Sequence, residues 1–257
     1  MSENTQSYSA KGEVSNITKR RTRFERIKIA FSKAPLSAWF GMIVLSIYLI
    51  AAFFAPFIAP HGEAEVFPVA YAPWGGEHLL GTDQIGRDIL SRLIFASRNT
   101  LGICFLACTI ALIIGTIFGI IAAIDRSYID QILSRSIDTL MAIPVMIFTF
   151  ILLSVFGPSN LNLILILGVL ESTRFFRISR SVAVGQVVLE YVEVAKLIGE
   201  KLSYIIFREI LPNIASPLIV EFGVRFIFII FTVSSLSFLG LGTVSYTHLR
   251  AHETIHY

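Results

Sequence analysis

Three long runs without charge, and a fourth with only two charges, constrain this chain of 257 residues more than any other feature. Trp39–Ala59 holds 21 uncharged residues, Asn99–Ile124 holds 26 and Thr139–Leu170 holds 32. Ile210–Gly242 holds 33 residues, with Glu221 and Arg225 as its charges. A helix that crosses a bilayer needs about 20 apolar residues at about 1.5 Å each. The run of 32 is too long for one crossing, and its centre, Gly157-Pro158-Ser159-Asn160, is turn chemistry. It therefore reads as a hairpin of two spans. The expectation is an all-α polytopic membrane protein with five spans, near 39–59, 99–124, 138–156, 161–180 and 213–242. In the fourth, Glu171, Arg174 and Arg177 follow only ten uncharged residues.

Composition supports this class. Hydrophobic residues make up 54% of the chain, charged residues 15%, and mean hydropathy is +0.73. Soluble domains carry about 25% charged residues. Disorder, coiled coil, collagen and a disulfide scaffold are excluded. Cys104 and Cys108 lie inside an apolar run and read as buried thiols, silent about redox compartment. Seven of the 21 Lys and Arg residues fall between Lys19 and Lys33. By the positive-inside rule the N-terminal tail, 125–137 and 181–212 are expected in the cytoplasm. Residues 60–98 and the 157–160 turn then lie outside, although Arg87, Arg92 and Arg98 run against the rule. The first span exceeds a signal-peptide core in length and reads as an uncleaved anchor. Residues 1–18, rich in Ser, Thr and Asn, read as disordered.

Two stretches between spans carry information. The first is Leu80-Gly81-Thr82-Asp83-Gln84-Ile85-Gly86-Arg87-Asp88. After it Ile89, Leu90, Leu93 and Ile94 oppose Arg87, Asp88, Ser91 and Arg92, which predicts a surface amphipathic helix capped by Thr82 or Asp83. Asp83 and Asp88 alone are too few ligands for a metal, so capping and local ion pairing is the reading. The second stretch is 187–201, where Val187, Val188, Tyr191, Val194, Ala195 and Ile198 recur with helical spacing. Gly199 breaks this helix, and Pro212 is expected to restart the chain into the last span. Periodicity leaves two readings open, a membrane-surface helix or a docking helix for a cytoplasmic partner.

Charges inside spans are candidates for function. Glu221 and Arg225 are four apart, Glu171 and Arg174 three apart, so each pair can close on one helix face. They either neutralise each other within the cytoplasmic half of the bundle or line a substrate path or gate. Gly115 and Gly119 form G-x-x-x-G, which permits close helix packing but is common by chance. Gly102 likewise carries little weight.

Glu193-Val194-Ala195, then Gly199, then Leu211-Pro212, resembles the "EAA…G…LP" loop of permease subunits of ABC-type importers. Val194 stands where the family has Ala, and Glu209 where it often has Ile. Residues 80–92 are similar to the "LGTDxxGRDxxSR" segment of the dipeptide, oligopeptide and nickel branch. Ser235–Gly242 resembles that branch's "SLSFLGLG", and Asp138-Thr139-Leu140 with Ile143-Pro144 its "DTLxAIP". The four motifs stand in order across 35–242, as in the subunit with the short external loop. The resemblance implies a permease of the bacterial inner membrane for peptides, nickel or related small solutes. Its partners would be a homologous second permease subunit, two cytoplasmic ATPase subunits, an external substrate-binding protein and membrane lipid, with no nucleic acid. No G-x4-G-K-[ST] occurs, so ATP hydrolysis would reside in partners and the chain is not itself an enzyme. The resemblance assigns ATPase coupling to Glu190, Glu193, Ala195, Gly199, Leu211 and Pro212. It implies no cofactor and no metal.

His252-Glu253-Thr254-Ile255-His256 matches the zincin pattern H-E-x-x-H. A membrane metalloprotease is the rival class, and an export-type relative of the same permeases is a second. The zincin reading fails on ligands, because His256 stands one residue from the end of the sequence and no third ligand follows. Residues 244–254 look like a translated sequencing adapter, and the natural sequence is expected to end near Thr243. The expected organisation is a cytoplasmic tail over 1–34, first span and external segment over 35–98, permease core over 99–242 with its coupling loop at 181–212, and a non-native tail over 243–257.

Overall fold

The computed structural model of the chain describes residues 35–241 apart from Glu77 and Arg126. The expected tail 1–34 and the segment 243–257 with its H-E-x-x-H pattern lie outside the described residues. Among the described residues there is no strand, only isolated bridges pairing Gly75 with His78 and Thr82 with Asp88. The chain divides into two units, Met1–Ile50 and Ala51–Tyr257. The first holds most of α1, Leu36–Phe53, which is long and apolar enough to cross a membrane. Its Ser46 hydroxyl donates to the Met42 carbonyl at 2.7 Å, so the polar group is satisfied within the helix.

In the second unit a short α2, Ala55–Ile58, precedes α3, Ile89–Ile124. The surface helix expected after Asp88 is not separate. It forms the first turns of the 36-residue α3, because no proline or glycine interrupts 89–101. The cap is Asp88 rather than Thr82 or Asp83, and its carboxylate accepts from Ser91 N at 2.8 Å. The third expected span is broken. α4, Tyr128–Met141, meets α5, Val145–Phe156, at an angle of 86°. Pro144 lacks an N–H and keeps Ile143 out of helical geometry, which forces the bend. The hairpin at 157–160 is present, and Ser159 caps α6, Asn160–Val187, by accepting from Asn162 N at 3.1 Å.

After α6 come α7 (Glu190–Leu197), α8 (Leu202–Tyr204), a π-turn (Ile205–Ile210) and α9 (Leu211–Phe238). Pro212 falls in the first turn of α9, as expected, but the π-turn runs into it without a break. Residues 202–238 run as one helical stretch of 37 residues. Leu211 N bonds Ile206 O, five residues back, and the widened π-turn gives the proline ring room beside the preceding carbonyls. Asn213 Nδ2 also donates to Glu209 O at 2.6 Å. By length and composition 36–53, 89–124 and 202–238 can cross a membrane, and the bent pair α4–α5 can supply a fourth crossing. α6 occupies the position of the expected fourth span, with its apolar stretch interrupted by Glu171, Arg174 and Arg177.

The core lies between α3 and α6. Cys104, Ala107, Cys108 and Ala111 are fully buried on one face of α3, opposite Leu163, Leu167 and Phe175. The G-x-x-x-G motif continues that face. Gly115 rests on the backbone at Ser172 and Phe176, and Gly119 on Ser179 and Phe176. Gly168 of α6 answers from the other side against Ile110. Lipid supplies no hydrophobic drive between helices, so such close backbone approach is where packing energy is gained. Both cysteines are buried thiols, as expected.

Candidate coupling surface and intramembrane charge cluster

α7 is an amphipathic helix of eight residues. Glu190 and Glu193 fall in its first turn and Lys196 in its last, which complements the helix dipole. The helix closes with a paired motif: Glu200 N bonds Ala195 O at 3.0 Å and Gly199 N bonds Lys196 O at 3.1 Å. Gly199 sits at φ +84°, where L side chains are strained, and open space surrounds it. Val192 and Ala195 are buried toward the rest of the unit. Glu190, Glu193, Val194, Leu197, Ile198 and Gly199 are exposed. The apolar face expected from spacing is thus divided: Val187, Val192 and Ala195 turn inward, while Val194 and Ile198 face out.

A hydrogen-bonded joint that spacing had assigned only to an apolar face ties α7 to its neighbours. Tyr191 Oη donates to Gln186 Oε1 of α6 at 2.7 Å and accepts from Asn213 Nδ2 of α9 at 3.2 Å. Burial and the nearby Glu209 carboxylate push the Tyr191 hydroxyl up, while the Asn213 donor opposes them. Leu211 is half-buried and Pro212 exposed beside this joint. The polar residues 186 and 213 at the ends of two apolar helices were the available signal.

The four intramembrane charges are only partly paired as expected. Arg225 Nε lies 2.7 Å from Glu221 Oε1, the i, i+4 pair on α9, though not aligned as a hydrogen bond. Glu171 reaches across from α6 to Arg225 Nη1 at 3.8 Å, instead of closing on Arg174. All three side chains are at most 17% exposed. Arg225 also lies over the Phe228 ring, 4.8 Å from its centroid. Arg174 is half-buried. A second inter-helix pair, Arg180 to Asp130, is bidentate at 2.5 and 2.6 Å and links α6 to α4.

Residues 61–92 fold back on the start of α3. Asp83 accepts from Ile85 N and Arg87 N at 2.9 Å, and pairs with Arg87 and Arg92. Gly86, at φ +85°, lets its own carbonyl accept from Phe67 N at 2.8 Å, and a side chain there would meet the Phe67 carbonyl. Burial acts to raise Asp83, but these donors and the Arg87 charge outweigh it and lower the carboxyl to about 2. Because the folded value is depressed, the stabilisation is complete above the unfolded value near 3.8 and is lost as pH falls toward about 2. The difference in thermal midpoint between the wild type and Asp83→Asn should therefore be constant from about pH 6 to about pH 4 and shrink below that. A difference independent of pH would contradict the ion-paired carboxylate.

Residues 115–252 match the family described as binding-protein-dependent transport system inner membrane component, and residues 31–73 match the N-terminal TM domain of oligopeptide transport permease C. The dipeptide transport system permease protein DppC of Alkalihalophilus pseudofirmus is 35% identical over 79% of this chain and 67% of its own length. DppC of Haemophilus influenzae is 32% identical over 82% of this chain and 74% of its own. The glutathione transport system permease protein GsiD of Pectobacterium atrosepticum is 30% identical over 86% of this chain and 74% of its own. With its apolar spans, its loop helix and these matches, the chain belongs to the family of inner membrane permease subunits of binding-protein-dependent, ABC-type importers, in the peptide branch.

Proposed function

We propose that this permease carries small peptides across the inner membrane, delivered by an external binding protein and driven by two separate ATPase subunits. A second, homologous permease subunit completes the pathway. The N-terminus and the 181–212 loop face the cytoplasm, and 60–98 faces outside. The observation that carries the proposal is the exposed acidic helix α7, joined through Tyr191 to both α6 and α9. Glu190 and Glu193 offer charge to a basic groove on the ATPase, and Gly199 sets the exit angle. Ala195, buried, lets α7 seat closely on its own subunit. Leu211 and Pro212 carry the displacement into α9. Motion of α7 on ATPase closure would rock these helices between inward-open and outward-open states. Relatives named for peptide and glutathione transport support the substrate class.

Glu193→Lys reverses the docking charge. Gly199→Val places a branched residue at left-handed φ, a cost of about 1–2 kcal/mol or more, which lowers the docking-competent population by roughly tenfold. In the reconstituted complex both variants should lose most substrate uptake and substrate-stimulated ATPase activity while the permease still inserts and pairs. Near-normal coupling in both would overturn the docking role of α7.

A further inference from the structure

The segment between the first span and α3 brings together three groups that the transport reading does not use. His61, His78 and Asp88 each present one ligand atom, and these atoms lie within 4.8 Å of one another. His78 Nδ1 is 3.2 Å from Asp88 Oδ1. The other carboxylate oxygen, Oδ2, is held by Ser91 N at 2.8 Å and Ser91 Oγ at 2.7 Å, so the carboxylate is fixed with Oδ1 turned to the histidines. Ser91 Oγ also accepts from His61 N at 3.0 Å, which anchors the backbone of the first ligand to the support of the third. Reciprocal bonds between Gly75 and His78 hold the second ligand's backbone. The Phe67 ring packs edge-on against both imidazoles, with centroids 4.7 Å from His61 and 4.6 Å from His78. Asp88 is 3% exposed and Ser91 fully buried, while the His61 side chain keeps 22% of its surface.

Capping of α3 and one hydrogen bond account for Asp88 and His78. Packing on Phe67 brings a second imidazole, His61, to 5.2 Å from the first, centroid to centroid, beside the same carboxylate. Two imidazoles and a carboxylate, oriented by a supporting hydroxyl and an aromatic wall, are the donor set of a borderline divalent metal. Ligand atoms around such an ion lie about 3.3 Å apart for bonds near 2.0–2.1 Å, so a small turn of the His61 ring closes the set. Its exposed side leaves a fourth position for water or for Glu65, whose carboxylate is 4.0 Å from His61 Nδ1.

We propose that His61, His78 and Asp88 bind a single divalent ion of the zinc class, which clamps the 61–78 segment onto the start of α3. The proposal is independent of substrate and of the transport mechanism. The test uses the full chain in detergent, stripped of metal, loaded with zinc, desalted and assayed for metal per chain. Cobalt(II) serves as a spectroscopic probe. His248, His252 and His256 could also take up zinc, so the assay is repeated with all three changed to Ala. One ion per chain, and a tetrahedral cobalt spectrum, should persist in that triple variant. His61→Gln and His78→Gln should each weaken binding by on the order of tenfold or more. Asp88→Asn, whose amide oxygen can still cap the helix, should weaken binding of the ion to a similar degree. No retained ion, a cobalt spectrum lost in the tail variant, or binding unchanged in both His61→Gln and His78→Gln would each overturn the site.

Discussion

Gly115→Val and Gly119→Val are expected to prevent α3 from packing on α6, and with it stable assembly of the core. A Cβ on Gly115 would meet the Ser172 carbonyl, Phe175 Cβ at 2.5 Å and Phe176 N at 2.8 Å. On Gly119 it would meet the Ser179 hydroxyl, the Phe176 carbonyl at 2.8 Å and Arg180 N at 3.0 Å. Most of these neighbours are backbone atoms of one helix, which can retreat only if the whole helix moves. Overpacking that displaces backbone costs about 1–3 kcal/mol and sometimes more. Two further methyl groups per valine place the expected loss at or beyond the top of that range. The controls lie in the same fold. A Cβ on Gly102 or Gly223 has nothing within 4 Å, so Gly102→Ala and Gly223→Ala should melt at or slightly above the wild-type temperature. Thermal unfolding in detergent, followed by monodispersity, separates the two groups. Wild-type melting of Gly115→Val would show that the helices do not cross here.

Arg225→Leu is expected to be nearly as damaging, for an electrostatic reason. It leaves the buried Glu171 and the half-buried Glu221 side by side without their cation. Removing one partner of a buried ion pair costs about 3–5 kcal/mol, and lipid offers less compensation than water. Glu171→Gln should cost less, because Arg225 keeps Glu221 at 2.7 Å. In a double-mutant cycle with stability read in detergent, Glu171 and Arg225 should couple by about 0.5–3 kcal/mol. The exchange Glu171→Arg with Arg225→Glu should recover part of the loss. Strictly additive losses would mean that the α6–α9 contact does not hold the helices together. Recovered stability with uptake still abolished would instead assign the cluster to the substrate path.

These two sites show the limit of pattern reading. Apolar runs of about 20 residues have one economical solution in lipid, because every backbone polar group must be satisfied within the segment. For that reason α-helical class, the 157–160 hairpin and the buried state of Cys104 and Cys108 followed from residue order alone. So did a helix within 187–201 and its end at Gly199, since a left-handed terminus is a local property, but not its start at Glu190, because Val187 belongs to the preceding helix. Family membership was legible because its motifs are short and ordered along the chain.

Contacts between distant segments were not legible. G-x-x-x-G arises often by chance, and nothing near Gly115 says that the backbone of residues 172–176 lies against it. Spacing pairs Glu171 with Arg174, but the crossing of α6 and α9 offers Arg225 instead. Helical periodicity placed Val194 and Ile198 with Ala195 on one face, whereas the joint at Tyr191, Gln186 and Asn213 turns the helix so that Val192 and Ala195 are covered. Pro212 stands at a helix start as local rules place it, but those rules do not foresee the π-turn that joins that helix to the residues before it. His61 and His78 lie 27 and ten residues ahead of Asp88 in sequence, and no local pattern links them to it. The order of residues determines which local conformations and which solvent each segment accepts, since those depend on neighbours within a few residues. Which buried faces, charges and ligands meet is settled by how the helices cross, and only the tertiary structure decides that.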